Sequence, residues 1–275
     1  MAGSGNAIGR RFARPKLALR GVALGYLTVL LVFPLAMVGF RTFEHGIDAA
    51  FQAATTPDAI HAFWLTLLMV AVAVPLNTIF GVGCAVLIAR REFRGKALFN
   101  AAVDIPFAVS PVVVGLALIL VYGQTGWFGT DLADAGIKVI FNPLGMIIAS
   151  IFISLPFVVR ETVPVLREIG TEQEEAATTL GARPWQTFWR ITLPAIRWGV
   201  AYGVVLTTAR VLGEFGAVSV VSGKLVGKTE TLPLHVQAAF EDFNLAGAYS
   251  ASFLLAGLAL VAVLSMQLLK RREIA

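Results

Sequence analysis

The chain is poor in charged residues, which make up 14% of its length, whereas a soluble domain carries roughly a quarter. Its single cysteine, Cys84, excludes an intrachain disulfide, and its three histidines lack the spacing of metal ligands. No zinc motif, nucleophile elbow or dinucleotide-binding glycine pattern occurs. The stretch GKLVGKT at 223–229 resembles a phosphate-binding loop but is one residue too short between its glycines. We therefore expect no catalytic, metal-binding or cofactor-binding residues.

Long apolar runs dominate the remainder of the chain, which is 57% hydrophobic. A run of about 20 apolar residues is long enough to span a bilayer as a helix. The sequence therefore predicts an all-α fold, a polytopic membrane helical bundle with about six transmembrane helices. The predicted spans are 21–40, 62–89, 101–122, 143–159, 199–221 and 247–269.

Lys and Arg alternate between the segments that flank these spans. Counted from the N-terminus, the flanking segments carry five, one, four, one, five, two and three such residues. Because cytoplasmic segments of membrane proteins are rich in Lys and Arg, both termini are predicted to be cytoplasmic. The net charge of +5 is then a topology signal, and we expect no nucleic-acid partner. Residues 1–20 form a cytoplasmic N-terminal segment, 21–270 a membrane domain with its core at 60–270, and 271–275 a C-terminal tail.

The polar segment at 171–194, between the fourth and fifth spans, has helix signals of its own. Thr171 and Glu174 have the spacing of a capping box, which predicts the start of a short helix. Gly181 suits the left-handed residue that ends such a helix. Pro184 suits the first position of a second helix. The segment is predicted to be two short helices joined at a glycine corner.

The second short helix is predicted to carry an aromatic face made of Trp185, Phe188, Trp189 and Thr192. One interpretation is a loop that lies on the membrane surface. Another is a docking element for a cytoplasmic partner, which the glycine corner favours because it leaves room for close approach. A DNA-binding helix-turn-helix would need Arg183 and Arg190 to reach a duplex from a membrane-tethered loop, which argues against it.

The same segment resembles the EAA motif of ABC importer permease subunits. The matching residues are Glu175, Ala176, Ala177, Gly181, Ile191, Leu193 and Pro194. In that family the loop contains the coupling helix, which sits in a groove of the ATP-hydrolysing subunit. The resemblance implies the type I importer permease (MetI-like) fold, a non-catalytic subunit, and ATP and Mg bound by a partner ATPase dimer. Arg183 departs from the pattern, since relatives often have a small polar residue there; Pro184 is expected to compensate.

Three further stretches are similar to the permeases of sulfate/thiosulfate ABC importers, closest to the W-type subunit. They are DIPFAVSPVVVGL (104–116), PFVVRETVPVL (156–166) and ARVLGEFGAVSVVSG (209–223). The resemblance implies a bacterial cytoplasmic (inner) membrane location, a T-type permease partner and an extracytoplasmic sulfate/thiosulfate-binding protein. Molybdate permeases share the GEFGA element, so a molybdate or tungstate importer is an alternative. A secondary anion transporter would need internal repeats, which the sequence does not display.

Six residues are candidates for the translocation pathway or its gate: Pro106, Ser110, Pro111, Arg210, Gly213 and Glu214. Arg210 and Glu214 both fall inside the predicted fifth span, where charges are costly and usually face the protein interior. Either Arg210 offers its guanidinium to a passing oxyanion, or the pair is a structural or gating bridge. Asp104, at the start of the third span, is expected to cap that helix rather than pair with an arginine.

Overall fold

The computed structural model describes the backbone of residues 19–274 and the side chains of residues 19–265. The predicted N-terminal segment lies outside the described residues up to position 18. Throughout the described part the regular elements are helices, which confirms the all-α prediction. The helices are α1 (Leu19–Phe43), α2 (Ile47–Ala54), α3 (Pro57–Arg90), α4 (Lys96–Ala108), α5 (Pro111–Tyr122), α6 (Gly129–Asp134), α7 (Pro143–Ile169), α8 (Glu172–Thr179), α9 (Pro184–Ala195), α10 (Arg197–Leu212), α11 (Gly216–Val221), α12 (Leu232–Glu241) and α13 (Leu245–Ile274).

Four of these helices are long and apolar enough to cross a membrane, namely α1, α3, α7 and α13. They correspond to the first, second, fourth and sixth predicted spans. Two bent pairs, α4 with α5 and α9 with α10, pass the same test when each pair is counted as one span. The described chain therefore has four to six candidate spans, in agreement with the predicted number of about six.

The predicted third span is not one continuous helix. It divides at Val109 and Ser110, and α4 and α5 meet at an angle of 109°. Pro111 explains the break, because a proline disfavours helical backbone in the residue before it, and Ser110 is extended with a ψ of 134°. Pro106, in contrast, lies within α4 and does not end it.

The predicted fifth span is also shorter than expected. Helix α10 ends at Leu212, and a break at 213–215 separates it from α11. Gly213 is a poor helix former. The Glu214 carboxylate accepts a hydrogen bond of 2.9 Å from the amide of Ala217, in the first turn of α11. The prediction that Glu214 lies inside the span helix is therefore wrong, since it lies in the break.

Helices α3, α7 and α10 pack together at the centre of the bundle. Gly81 of α3 and Gly203 of α10 both face Val158 of α7. A Cβ at Gly81 would lie 2.7 Å from Val158 Cβ, and one at Gly203 would lie 2.7 Å from Val158 Cα. Such close approach at small residues is the usual source of helix association in membranes. These contacts hold the three helices as one unit.

The ends of the long helices define two sides of the bundle. Arg90, at the end of α3, donates a hydrogen bond of 2.7 Å to the Gly170 carbonyl just after α7, so both helices end beside segment 171–194. On the other side, the amide of Phe141 donates to the Val221 carbonyl at 2.8 Å. The loops before α7 and after α11 are thus opposite the segment, as the charge alternation requires. Which side is cytoplasmic stays a prediction.

Candidate functional site

The two predicted short helices of segment 171–194 are present as α8 and α9. Gly181 lies at the corner between them with a φ of +86°, which confirms the predicted left-handed conformation. Its amide donates to the Thr178 carbonyl at 2.9 Å, and the amide of Ala182 donates to the Ala177 carbonyl at 3.0 Å. A Cβ at Gly181 would meet no described atom of this chain within 4 Å. The corner is therefore open to a partner.

The predicted capping box at the start of α8 does not form. The Thr171 hydroxyl donates to Glu175 Oε1 at 2.6 Å instead of accepting from a helix amide. The Glu174 carboxylate turns to Arg90, whose Nε lies 3.0 Å from Glu174 Oε2. An arginine makes charge-assisted hydrogen bonds that are stronger than those of a neutral backbone amide, so it displaces the local cap.

The start of α9 is stabilised at the position where the sequence departs from the motif. Pro184 is the first residue of this helix, as predicted. The backbone amide of Arg183 donates to Gln186 Oε1 at 2.9 Å, which is one half of a capping box. Both Pro184 and Gln186 therefore offset the absence of a small polar residue at 183.

The aromatic residues of α9 are divided between an exposed ridge and a buried side. Leu180 is 89% exposed, Trp185 68% and Trp189 49%. The rings of Trp185 and Trp189 are in edge-to-face contact at 5.3 Å, whereas Phe188 is half-buried and Thr192 is buried. The predicted common face is wrong for Thr192, which faces the membrane domain. An exposed apolar ridge of this kind, beside an open glycine corner, is typical of a protein-interaction surface.

The motif residues occupy both short helices. Glu175 and Ala176 are exposed on α8, and Ala177 is half-buried there. On α9, Ile191 and Leu193 are half-buried, and Leu193 packs on the apolar cluster formed by α3, α4, α7 and Ile196. Pro194 is exposed, and the helix continues to Ala195 before a bend of 70° into α10. The motif thus joins an exposed corner to the packed centre of the bundle.

Arg90 is a site residue that the sequence did not reveal beyond its charge. It is the last residue of α3 and contacts the end of α7, as well as Glu174 on α8. Glu174 Oε1 also accepts a hydrogen bond of 2.9 Å from the Thr192 hydroxyl on α9. The only signal in the sequence is a basic residue at the last position of a predicted span, which the positive-inside rule already explains.

The two charged pathway candidates form an ion pair. Arg210 Nη1 lies 2.7 Å from Glu214 Oε2, and the side chains are 29% and 1% exposed, respectively. Glu214 is therefore buried and holds the start of α11, while part of Arg210 stays exposed. Within the described residues, no group of three or more His, Cys, Asp and Glu side chains is placed to hold a metal ion.

Ser110, Pro111 and Gly213 lie in or next to the two breaks, and the residues that directly follow the breaks are in contact. A Cβ at Gly216 would lie 2.8 Å from Pro111 Cβ, so the start of α11 packs directly on the start of α5. Ser110 and Gly213 are exposed within the breaks, and Pro106 is buried in α4. Breaks in membrane helices are tolerated where they are buried in protein or line a cavity.

Asp104 does not cap a helix. It forms an ion pair with Arg160 of α7, whose Nε donates to Asp104 Oδ1 at 2.7 Å. The predicted cap is therefore wrong: the carboxylate lies inside α4, where it joins α4 to α7. One turn further along, Phe107 and Phe157 are in edge-to-face contact at 5.2 Å between the same two helices.

Comparison with known proteins supports this architecture. The family model described as "Binding-protein-dependent transport system inner membrane component" matches residues 77–274. The sulfate transport system permease protein CysW of Synechococcus elongatus is 50% identical over 93% of this chain and 90% of its own. CysW of Escherichia coli strain K12 is 42% identical over 94% of this chain and 91% of its own length. The sulfate permease CysT of Synechocystis is 36% identical over 91% and 87%.

The fold also matches a solved structure. One chain in the crystal structure of a bacterial alginate ABC transporter, in complex with its alginate pentasaccharide-bound periplasmic protein, has a TM-score of 0.78 to this chain. The two chains are 19% identical, and the match covers 96% of each. This confirms the predicted importer permease fold. The chain is a multi-pass membrane protein that belongs to the family of binding-protein-dependent transport system inner membrane components, the permease subunits of ABC importers.

Proposed function

We propose that this chain is the W-type permease subunit of an ABC importer for sulfate and thiosulfate. The observation that carries the proposal is its near full-length similarity to two bacterial CysW sulfate permeases. The matches to these relatives cover 93% and 94% of this chain, and so take in nearly the whole membrane domain. The chain itself would contribute one half of the translocation pathway and no catalytic group.

The ATPase would bind at the exposed corner between α8 and α9. Gly181 lets the corner approach a partner closely, and Leu180 and Trp185 offer apolar surface beside it. ATP and Mg would be bound by those subunits, as no nucleotide motif occurs in this chain. ATP-driven closure of the ATPase dimer would displace the corner and, with it, the helices to which it is joined.

Two more partners complete the proposed importer. A T-type permease would supply the other half of the pathway, in line with the 36% identity between this chain and CysT of Synechocystis. An extracytoplasmic sulfate/thiosulfate-binding protein would deliver the anion to the side opposite α8 and α9. The proposed location is the bacterial cytoplasmic membrane, in line with the inner-membrane description of the family.

The proposed alternative substrate is molybdate or tungstate. The GEFGA element, 213–217, which molybdate permeases share, covers the break before α11 and the first two residues of that helix, where Glu214 accepts a bond from Ala217 and Gly216 packs on Pro111. Both contacts stabilise the start of α11 and do not involve the anion, so they are compatible with sulfate and with molybdate. The element therefore does not decide between the two oxyanions, and sulfate is preferred on the overall similarity.

The test is anion uptake by the reconstituted importer. Proteoliposomes would contain this chain, its T-type partner and the ATPase, with the binding protein added outside and ATP inside. We expect ATP-dependent uptake of radiolabelled sulfate that excess thiosulfate suppresses and excess molybdate does not. Uptake of molybdate in place of sulfate would select the alternative substrate. Uptake that persists with an ATPase subunit unable to hydrolyse ATP would contradict the ABC mechanism and favour a secondary transporter.

A further inference from the structure

Arg90 lies where four helices of the chain meet. It ends α3, and its side chain is only 12% exposed although it is the last residue of a membrane-spanning helix. Its acidic partner, Glu174, is 21% exposed and lies in the first turn of α8. A surface ion pair is usually well hydrated and contributes little. This pair, in contrast, is mostly withdrawn from solvent.

The guanidinium of Arg90 uses each of its nitrogens. Nη1 donates to the Leu166 carbonyl at 2.7 Å, and Nη2 donates to the Gly170 carbonyl at 2.7 Å. Nε and Nη2 donate to Glu174 Oε1 at 3.2 and 3.1 Å. A planar fork with several fixed N–H groups can make these bonds together, whereas a lysine ammonium is a point charge with a different geometry.

The carbonyls that Arg90 binds belong to the end of α7. Leu166 lies in the last turn of that helix, where carbonyls lack partners within the helix and a positive charge is favourable. Gly170 is the residue after α7 and has a φ of +72°, so the chain changes direction there on its way to α8. Arg90 thus fixes the turn that joins a central helix to the coupling loop.

Glu174 also connects Arg90 to α9. Its Oε1 accepts the Thr192 hydroxyl at 2.9 Å, and Thr192 is buried. One carboxylate therefore bonds to α9 and, through Arg90, to α3 and the end of α7. Both short helices and both central helices share a single ionic centre, which consists of Arg90, Glu174 and Thr192.

We propose that this ionic centre is the positioning element that makes the coupling loop move together with α3 and α7, so that displacement by the ATPase reaches the translocation pathway. The inference rests on the proposed function. Arg90 and Glu174 would not contact the anion or ATP; they act through the loop that they hold. Without the centre, α8 and α9 would yield locally when the ATPase closes, and hydrolysis would proceed without transport.

The surroundings of the ionic centre indicate that it positions the loop and is not required for folding. An open cavity of about 460 Å³ adjoins it and is lined by Arg90, Glu174 and neighbouring polar residues of α8. A carboxylate or guanidinium that loses its partner can turn into this cavity and regain water. The penalty of an unpaired buried charge is then avoided. Loss of the pair should loosen the loop while the packed centre of α3, α7 and α10 stays intact.

The experiment measures coupling in the reconstituted importer. Arg90→Lys keeps the charge but not the fork, Glu174→Gln removes the charge, and Thr192→Val removes only the bond to α9. The matched control is Lys96→Gln, which breaks the Lys96–Glu92 pair close by on the chain, in which Glu92 is 89% exposed. ATP hydrolysis and sulfate uptake are measured on the same proteoliposomes. We expect a several-fold rise in ATP hydrolysed per anion imported in Arg90→Lys and Glu174→Gln, a smaller rise in Thr192→Val, and the wild-type ratio in Lys96→Gln.

A second measurement does not depend on the transported anion. Hydrogen exchange of the amides in 171–194 is followed in the assembled complex with the ATPase bound. We expect faster exchange in the three variants of the ionic centre than in the wild type and Lys96→Gln. Wild-type coupling ratios and exchange in Arg90→Lys and Glu174→Gln would overturn the proposal, as would loss of assembled complex in proportion to lost uptake. If the wild type imports no sulfate while the exchange pattern holds, the proposed substrate fails and the positioning role stands.

Discussion

The backbone of one residue, Gly181, determines the shape of the corner that the proposed ATPase contact needs. Its φ of +86° is disfavoured for any side-chain-bearing residue by roughly 1–2 kcal/mol. No described atom of this chain lies near the position of its missing Cβ, so a side chain there would meet only a partner. The residue therefore links a local conformation directly to an intermolecular contact.

Gly181→Leu should leave the amount of membrane-inserted chain unchanged and reduce co-purification of the ATPase by about tenfold or more, because the left-handed penalty adds to a steric clash. Uptake should fall with it. The matched control is Gly95→Leu, since Gly95 has a φ of +88° and equally open surroundings but lies outside segment 171–194. Pull-down of the ATPase from detergent extracts measures the effect. Equal binding by both variants would remove the docking role of the corner.

The Arg210–Glu214 ion pair is a second case in which single side chains should determine stability and assembly. Arg210→Ala leaves a buried carboxylate without its cation, a change that costs roughly 3–5 kcal/mol in buried pairs. We expect a lower melting temperature and less assembled complex. Adding Glu214→Gln should recover much of both, since the neutral amide can still accept the bond from Ala217.

The recovered double variant then reports on the role of the arginine. If it transports sulfate at near the wild-type rate, the pair is a structural bridge. If it assembles and fails to transport, Arg210 guides the anion with its exposed part. Normal stability and transport by Arg210→Ala alone would contradict both interpretations.

At the scale of helices, packing of the central three depends on small residues at fixed positions. Gly81 and Gly83 lie in the same helix, α3, but only Gly81 faces α7. Gly81→Ala would place a Cβ 2.7 Å from Val158 Cβ and should lower stability by about 1–3 kcal/mol, the usual effect of overpacking. Gly83→Ala has no atom within 4 Å of the new Cβ and should be neutral or stabilising. Thermal unfolding in detergent measures both, and equal effects would contradict this packing.

The helix breaks illustrate what local sequence indicates and what it does not. Pro111 signals a break in the third span, yet the 109° angle between α4 and α5 depends on contacts with other helices. Asp104 and Phe107 hold α4 on α7, and Gly216 brings α11 onto the start of α5. None of these partners is a sequence neighbour, so the sequence indicates the spans at 101–122 and 199–221 but not the angles at their breaks.

For the whole molecule, the charge alternation predicts which side faces the cytoplasm. Single cysteines at Asp131 and Lys224, in a Cys84→Ser background, should react with an impermeant thiol reagent added to intact cells. A cysteine at Arg94 should react only after the cells are opened. The structure places the loop of Arg94 beside α8 and the loop after α11 on the opposite side, so the three sites test one orientation. Labelling at 94 from outside would reverse the topology.

The sequence by itself determined the class of fold, the approximate number and position of the spans, and the two short helices of segment 171–194. These follow from local chemistry: hydropathy selects membrane helices, and glycine and proline restrict the backbone where they stand, as Gly181 and Pro184 do. Family membership followed from the motif spacing, which comparison with known proteins confirmed.

Only the tertiary structure decided which polar side chains meet. Arg90 and Glu174 are 84 residues apart in the chain, and Asp104 and Arg160 are 56 apart. In both cases a local cap was the simpler prediction, at Thr171 with Glu174 and at Asp104. The predicted caps do not form because the packing of α3, α4 and α7 brings a guanidinium to each carboxylate, and a charged donor forms the stronger hydrogen bond. Such pairings depend on how helices pack, which no local pattern encodes.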